Sequence, residues 1–497
     1  MREDTPSVFP NGERASPGTM LTFPQSKDGG RARLVTIFGS LGPHGARWVH
    51  YVCDVGNPAY SEIVLPADGP LQSIAREVPA AAWHERELHD QYGIQIVGHP
   101  DLRPLVFHDN WPDGVYPMID RVDDVPWSKR EYRFLQVQGE GIAEVAVGPV
   151  HAGIIEPGHF RFSVVGDTIL HLELRHFYTH KGTEKLFEGK SVEDGTMLAE
   201  SVSGDNCFAH AVCYTQAVEN ACGIDVPSRA TAVRLIGLEY ERLVCHISDI
   251  GGLCTDVGFS VAAAYATRLK EFLLQASVQC CGTRYWRGVA VPGGLRFDFD
   301  PGRTAEFAQA VARASRDFSK IARMILETPS IQNRFETAGV LGREAAQDLA
   351  VVGPVARASG IDLDVRRDHP YGGYGNHRIE VPVTHYGDVM ARARIRIAEA
   401  AASAQLIQDA AKSLPDGSVF IPVTSQGDIQ GFSAVESPRG ELCYWVEARG
   451  GRVTRCHIKS PSFQNWPAMP LTVAGNIIAD FPLINKSFNL SYSGCDR

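Results

Sequence analysis

Between Arg229 and Gly258 apolar side chains recur at helical intervals. Val233, Ile236, Tyr240, Leu243, Val244 and Ile247 share one face, which predicts a long helix with that face in a core. Glu239, Arg242, His246 and Asp249 follow at offsets of three, four and three on the other side, so the helix also carries a charged stripe. On a surface helix the stripe is solvated, whereas in a bundle it lines a buried polar channel; periodicity leaves both readings open. A second helical pattern runs from Ala305 to Leu326. A third, GDVMARARIRIAEAAASAQLI, holds Arg392, Arg396 and Glu399 in another charged row. Nearer the N-terminus the period shortens. RLVTIFGS and RWVHYVCDV read as strands and LQSIAREVPAAAWHERELHDQYG as a helix, so 30–135 is expected to form an α+β module. It follows a polar, Pro/Gly-containing tail over 1–29 that is expected to be disordered. Residues 136–497 are expected to form a second, mostly helical domain with a small β element near Gly148 to Leu174, giving an α+β protein overall.

Composition narrows the function. A chain of 497 residues is longer than one core normally spans. The net charge of −10 leaves no basic surface for nucleic acid, which is excluded as a partner. No stretch approaches the roughly 18 apolar residues of a membrane helix, and the N-terminus has no signal-peptide core. A cytoplasmic protein whose membrane contact comes through partners is expected. The 11 cysteines are scattered. Cys207, Cys213 and Cys222 have the wrong spacing for zinc hairpins or iron-sulfur runs, so packed free thiols are expected. No glycine fingerprint follows a strand, so NAD is not expected on this chain.

The densest chemistry lies between Gly148 and Ala230. GPVHAGIIEPGHFRF, LRHFYTHKGTEKLFEG and AESVSGDNCFAHAVCYTQAVENACGIDVPSRA place His151, Glu156, His159, His180, Glu184 and His210 among turn formers and apolar residues. A carboxyl flanked by Ile154, Ile155 and Pro157 is expected to be poorly solvated and suited to proton relay, with His151 and His159 as partners; a turn-capping carboxylate is the plainer alternative. His180 and Glu184 are four apart and would share a helix face.

From this stretch to the C-terminus the chain resembles the large subunit of membrane-bound, formate hydrogenlyase-type nickel-iron hydrogenases and the quinone-site subunit of respiratory complex I. The segment ending in Glu85-Arg86-Glu87 and GHPDLRPLVF resembles the small partner subunit of complex I, as in fused C/D-type chains. The resemblance implies a subunit of a membrane-bound oxidoreductase complex, peripheral on the inner face of the cell membrane. Such a subunit is expected to couple electron delivery from an iron-sulfur small subunit to a quinone or another acceptor, with proton transfer beside membrane-embedded proton-translocating subunits. Glu156, His151, His159, His210, Glu239, Arg242 and His246 are the implied proton-handling residues, and Arg284, Arg287, His180 and Glu184 the implied partner contacts.

The departures matter equally. Where a nickel-iron hydrogenase has two Cys-x-x-Cys pairs, this chain has Ser203 and Asn206, then Ser491 and Gly494. Neutral oxygens cannot replace soft thiolates, so nickel-iron is not expected and no cofactor is expected on this chain. Ile155 and Gly204 stand where complex I has its quinone-facing His and Tyr. The alternative is therefore a redox-inactive structural or conformational-coupling subunit. A true nickel-iron hydrogenase ranks third.

Overall fold

Aspartates start two of the three long helices that the periodicity predicts. Asp300 accepts the Arg303 amide at 2.8 Å ahead of Pro301–Glu327, and Asp388 accepts the Ala391 amide at 2.7 Å ahead of Val389–Lys412. The computed structural model describes residues 13–14, 24, 32–56, 60–120, 122, 127–129, 131–153, 155–423 and 427–497. Of the tail expected to be disordered, Glu13 and Arg14 pair in parallel with Ile63 and Val64, and most of the rest lies outside the described residues. Helix accounts for 44% and strand for 18%, a mixed α+β fold.

The N-terminal module is a meander of Arg33–Leu41, Arg47–Asp54 and Tyr60–Pro66. A bulge between Leu34 and Thr36 shifts the side-chain alternation of the first strand. Leu34 and Ile37 enter the module's own core, while Val35 and Phe38 pack against Phe432, Cys443 and Trp445 of the large domain. The helix expected from Leu71 onward is shorter. Leu71–Gln72 is a strand and the α-helix is Ala82–Tyr92, because Pro79, which cannot donate a backbone hydrogen bond, sits where the longer helix would need its interior.

In the large domain Ser228–Asp256 packs against Val389–Lys412 on one side and Ser260–Cys281 on another, and Pro301–Glu327 closes the bundle. The expected β element is a three-stranded antiparallel sheet of Ile142–Val147, His159–Val165 and Thr168–Arg175. A second sheet of Ile429–Ser437, Gly440–Arg449 and Arg452–Lys459 packs on helix Cys207–Cys222. Ten of the eleven cysteines are buried and none forms a disulfide. No helix among the described residues is long and apolar enough to cross a membrane.

Candidate functional site

Helices Cys207–Cys222 and Ser228–Asp256, the Tyr285–Trp286 loop and the Asn489–Ser493 segment enclose a cavity of about 470 Å³. Phe208, Tyr240, Val244, Trp286 and Tyr492 give it apolar walls, and Glu156, Asp205, Glu241 and Asp249 bring carboxyls to it. Gly237 is required here, since a Cβ would collide with the rings of Phe208 and Trp286.

Three of the four positions that lack thiolates, Ser203, Ser491 and Gly494, meet at this wall. Ser203 Oγ lies 2.9 Å from Ser491 Oγ, and Ser491 also accepts the Gly494 amide at 2.9 Å. Asn206 is buried at the start of the Cys207–Cys222 helix with its Oδ1 unpaired. Hydroxyls bonded to each other, one carboxamide and a glycine form a hard, neutral donor set, which does not fit a nickel-iron centre. Among the described residues no three His, Cys, Asp or Glu are grouped to hold a metal ion.

Glu156 reaches the cavity, where its Oε2 accepts the Ser493 amide at 2.9 Å. Its expected burial is not what the structure has: Glu156 is half-buried and Ile155 is 52% exposed, because the loop turns that isoleucine outward. Ile154 lies outside the described residues. His151 and His159 close the loop. Nε2 of His151 bonds Gly158 O at 2.7 Å and Nδ1 of His159 bonds Gly148 O at 3.2 Å, so each ring commits a nitrogen to backbone. His210 faces away from the cavity toward Tyr444 Oη at 2.7 Å, and burial pushes it down to about 3. Sequence reasoning missed Glu241. It accepts the Phe208 and Ala209 amides at 2.7 and 3.0 Å, and burial pushes it up to about 8 against those two bonds.

The charged stripe is a buried network. Glu239, Arg242, His246 and Asp249 are at most 2% exposed. His246 Nε2 meets Glu399 Oε2 at 2.8 Å, and Arg396 Nε meets Asp249 at 3.0 Å, so the two charged rows face each other across the packed helices. Arg357 joins Glu399 to Glu436 at 2.8 and 2.9 Å, and Arg366 joins Asp364 to Glu239 at 2.7 and 3.0 Å. Burial alone would raise Glu239 and Glu399, but Arg366 and Arg242 hold the first below the usual carboxylate range and Arg357 with His246 holds the second well below it. Arg439 ties Asp249 to Asp205 and so brings the network to the cavity. At its far end Tyr374 donates to Glu239 at 2.6 Å and lines a second cavity of about 600 Å³.

The expected partner contacts divide. Arg284 and Arg287 are exposed on either side of buried Trp286, Arg284 pairing with Glu271 at 2.5 Å. Glu184 is buried and turned inward to Arg455 at 2.7 Å, His457 at 3.1 Å and Arg497 at 3.2 Å, so it clamps the chain internally. His180 shares no helix face with it. That helix is only Thr183–Leu186, entered through left-handed Gly182, and His180 Nδ1 bonds Asp496 O at 2.6 Å.

Comparisons with known proteins agree with this architecture. The profile "Respiratory-chain NADH dehydrogenase, 49 Kd subunit" matches residues 256–427 and 423–497, and "Respiratory-chain NADH dehydrogenase, 30 Kd subunit" matches 33–126. Formate hydrogenlyase subunit 5 of Escherichia coli is 34% identical over 96% of this chain and 87% of its own length. Hydrogenase-4 component G of the same organism is 34% identical over 86% and 75%. The C/D subunit of NADH-quinone oxidoreductase from Phocaeicola vulgatus is 28% identical over 86% and 87%. In fold, the chain resembles a chain of the membrane-bound sulfane sulfur reductase, an archaeal respiratory membrane complex, with TM-score 0.68 and 24% identity over 72% of this chain and 99% of that one.

Proposed function

The chain belongs to the family of fused C/D-type, hydrogenase-like large subunits, and on that premise we propose that it is the acceptor-site subunit of a membrane-bound oxidoreductase complex. One observation carries the reading: a cavity of about 470 Å³ has aromatic walls, carboxyls at its surface and a buried ion-pair network behind it. A quinone or another flat organic acceptor fits the apolar walls. Reducing it consumes protons as well as electrons, and Glu156, Asp205 and Glu241 are the cavity carboxyls that can pass them, whereas Asp249 is held ionised, against its burial, by Arg439 and Arg396.

Electrons enter from an iron-sulfur small subunit docked on the loop of Arg284 and Arg287. That loop is exposed at both arginines and lines the cavity through Tyr285 and Trp286, which makes it the short way from a docked partner to an acceptor. In this reading the subunit sits peripherally on the inner face of the cell membrane, held there by membrane-embedded proton-translocating partners, which its similarity to subunits of membrane-bound oxidoreductase complexes supports. Nickel-iron chemistry has no part in the reading, because the donor set at Ser203, Asn206, Ser491 and Gly494 does not fit it.

The test is the purified complex, with subunit identification and an acceptor screen, compared with Val244→Phe. Val244 is buried on the cavity wall, so the added ring narrows the space an acceptor needs. A raised KM for the acceptor at matched assembly supports the reading. Acceptor reduction unchanged by Val244→Phe contradicts it and selects a redox-inactive coupling subunit, the reading that the buried ion-pair network favours on its own.

A further inference from the structure

One face of helix Ser228–Asp256 runs the length of the cavity. Gly237, Glu241, Cys245 and Ser248 fall on it at offsets of four, four and three, and each lines the space, a span of about 16 Å at 1.5 Å per residue. The two ends differ. At Gly237 the rings of Phe208 and Trp286 close on the backbone. At Ser248 two lysines arrive from separate helices. Lys270, from Ser260–Cys281, donates to Ser248 Oγ at 3.3 Å, and Lys486 comes from the last turn of Phe481–Phe488. The Lys486 stem lies across Gly252, one turn beyond Ser248, where a Cβ would stand 2.7 Å from its Cε. Glycine at that point of the helix makes the room that the stem takes. The two ammoniums are thus anchored one helical turn apart at the same end of the cavity.

Among the described residues neither lysine forms an ion pair. Asp256, whose charge Lys486 feels, is exposed, and Glu271 beside Lys270 pairs with Arg284 instead. The carboxyls of the cavity are engaged elsewhere. Arg439 and Arg396 take Asp249, Arg439 also takes Asp205, and Glu241, pushed up to about 8 by burial, is mostly uncharged near pH 7. Glu156 holds the Ser493 amide. Like charges set one turn apart repel each other, and an anion bound between them reverses that repulsion. Ser248, which accepts from Lys270 and donates to no described residue, adds a hydroxyl at the same point.

We propose that the acceptor taken by this cavity is an anion, with a flat apolar body against Phe208, Tyr240 and Trp286 and a carboxylate or sulfonate group held at the other end by Lys270 and Lys486. The proposal rests on the reading of the cavity as an acceptor site and names the class of molecule that the site selects. A neutral quinone fills the aromatic end and leaves both ammoniums without a partner. An acid group on the same rings gives each ammonium a charge-assisted hydrogen bond. The span of about 16 Å along the helix admits two or three fused rings together with that group.

The test is equilibrium binding to the purified complex of two probes that share a flat body and differ in charge, anthraquinone-2-sulfonate and 2-(hydroxymethyl)anthraquinone. Wild type should bind the sulfonate about a hundredfold more tightly, one factor of about ten for each ammonium. In Lys270→Met and in Lys486→Met, which keep an unbranched stem, the ratio of the two Kd values should fall about tenfold. Lys486→Glu should lower it further, because it sets a negative charge beside the sulfonate. Val244→Phe should weaken both probes and leave their ratio as it is in wild type. Equal affinity of wild type for the two probes, or a ratio unchanged in either methionine variant, overturns the anionic acceptor and leaves the acceptor site standing if Val244→Phe weakens both. Binding of neither probe to wild type also overturns the proposal, while the acceptor reading is still judged by the KM of Val244→Phe.

Discussion

Glu399 Oε2 and His246 Nε2 meet at 2.8 Å, joining two long helices through groups that are at most 1% exposed. Glu399 also takes Arg357 Nε at 2.8 Å, with Arg242 at 3.9 Å. Substituting Glu399→Gln keeps the shape but leaves these cations facing one carboxylate fewer in a place water cannot reach. Breaking a buried pair from one side costs about 3–5 kcal/mol. The variant should therefore melt well below wild type, and a superimposable melting curve would contradict the network's role in stability.

Nickel content tests the donor set. Ser203 and Ser491 bond to each other, Asn206 offers only a neutral amide and Gly494 has no side chain. The purified complex should carry no stoichiometric nickel attributable to this chain after stringent washing. One nickel per chain by metal analysis would require ligands outside these four positions.

Much of this architecture is legible in the sequence, and what is not has physical causes. Period 3.6 located Ser228–Asp256, Pro301–Glu327 and Val389–Lys412 to within about five residues but not Ser260–Cys281, and the short apolar runs located two of the three strands of the N-terminal meander, not Tyr60–Pro66. Periodicity also showed the charged rows on Ser228–Asp256 and Val389–Lys412, but no local pattern says that two rows on separate helices face one another. Arg357, Asp364, Arg366 and Glu436 complete the network from loops, short helices and a strand, where no repeat marks them. The C-terminal sheet escaped because VESPRGELCYWV is buried on both faces and so does not alternate. The glutamate at 156 has the flanks of a buried group, yet a loop is free to turn Ile155 into solvent. Glu241 was passed over because its partners, two backbone amides, have no sequence signature.

Acid should destabilise the chain through buried histidines. Burial pushes His176 and His210 down to about 3 from the ordinary 6.5. Between those values the unfolded chain takes up protons that the folded chain refuses, so stability is full above about pH 6.5 and falls as pH drops toward 3. The loss is on the order of 2 kcal/mol for each histidine by pH 5. Melting temperature measured from pH 7.5 to 5 should fall in wild type and fall less in His210→Gln, which can still bond Tyr444. A variant that tracks wild type throughout would show that His210 is protonated in the folded state.

The last prediction concerns Glu156, which the structure places at the cavity but not in a buried pocket. Its Oε2 accepts the Ser493 amide at 2.9 Å. A glutamine in its place can offer an amide oxygen to the same N–H, so the loop and the Asn489–Ser493 segment should hold their positions. What the amide cannot do is release and regain a proton. If Glu156 passes protons to the reacting acceptor, Glu156→Gln should lower acceptor reduction and proton translocation together by about a hundredfold, the low end for loss of a general acid. If it only holds the Ser493 amide, both rates should stay near wild type. The measurement is both rates in membranes matched for subunit assembly, with the melting curve as a control for structure. A variant that assembles, melts like wild type and turns over normally would remove Glu156 from the proton path and leave Asp205 and Glu241 as the carboxyls able to serve the cavity.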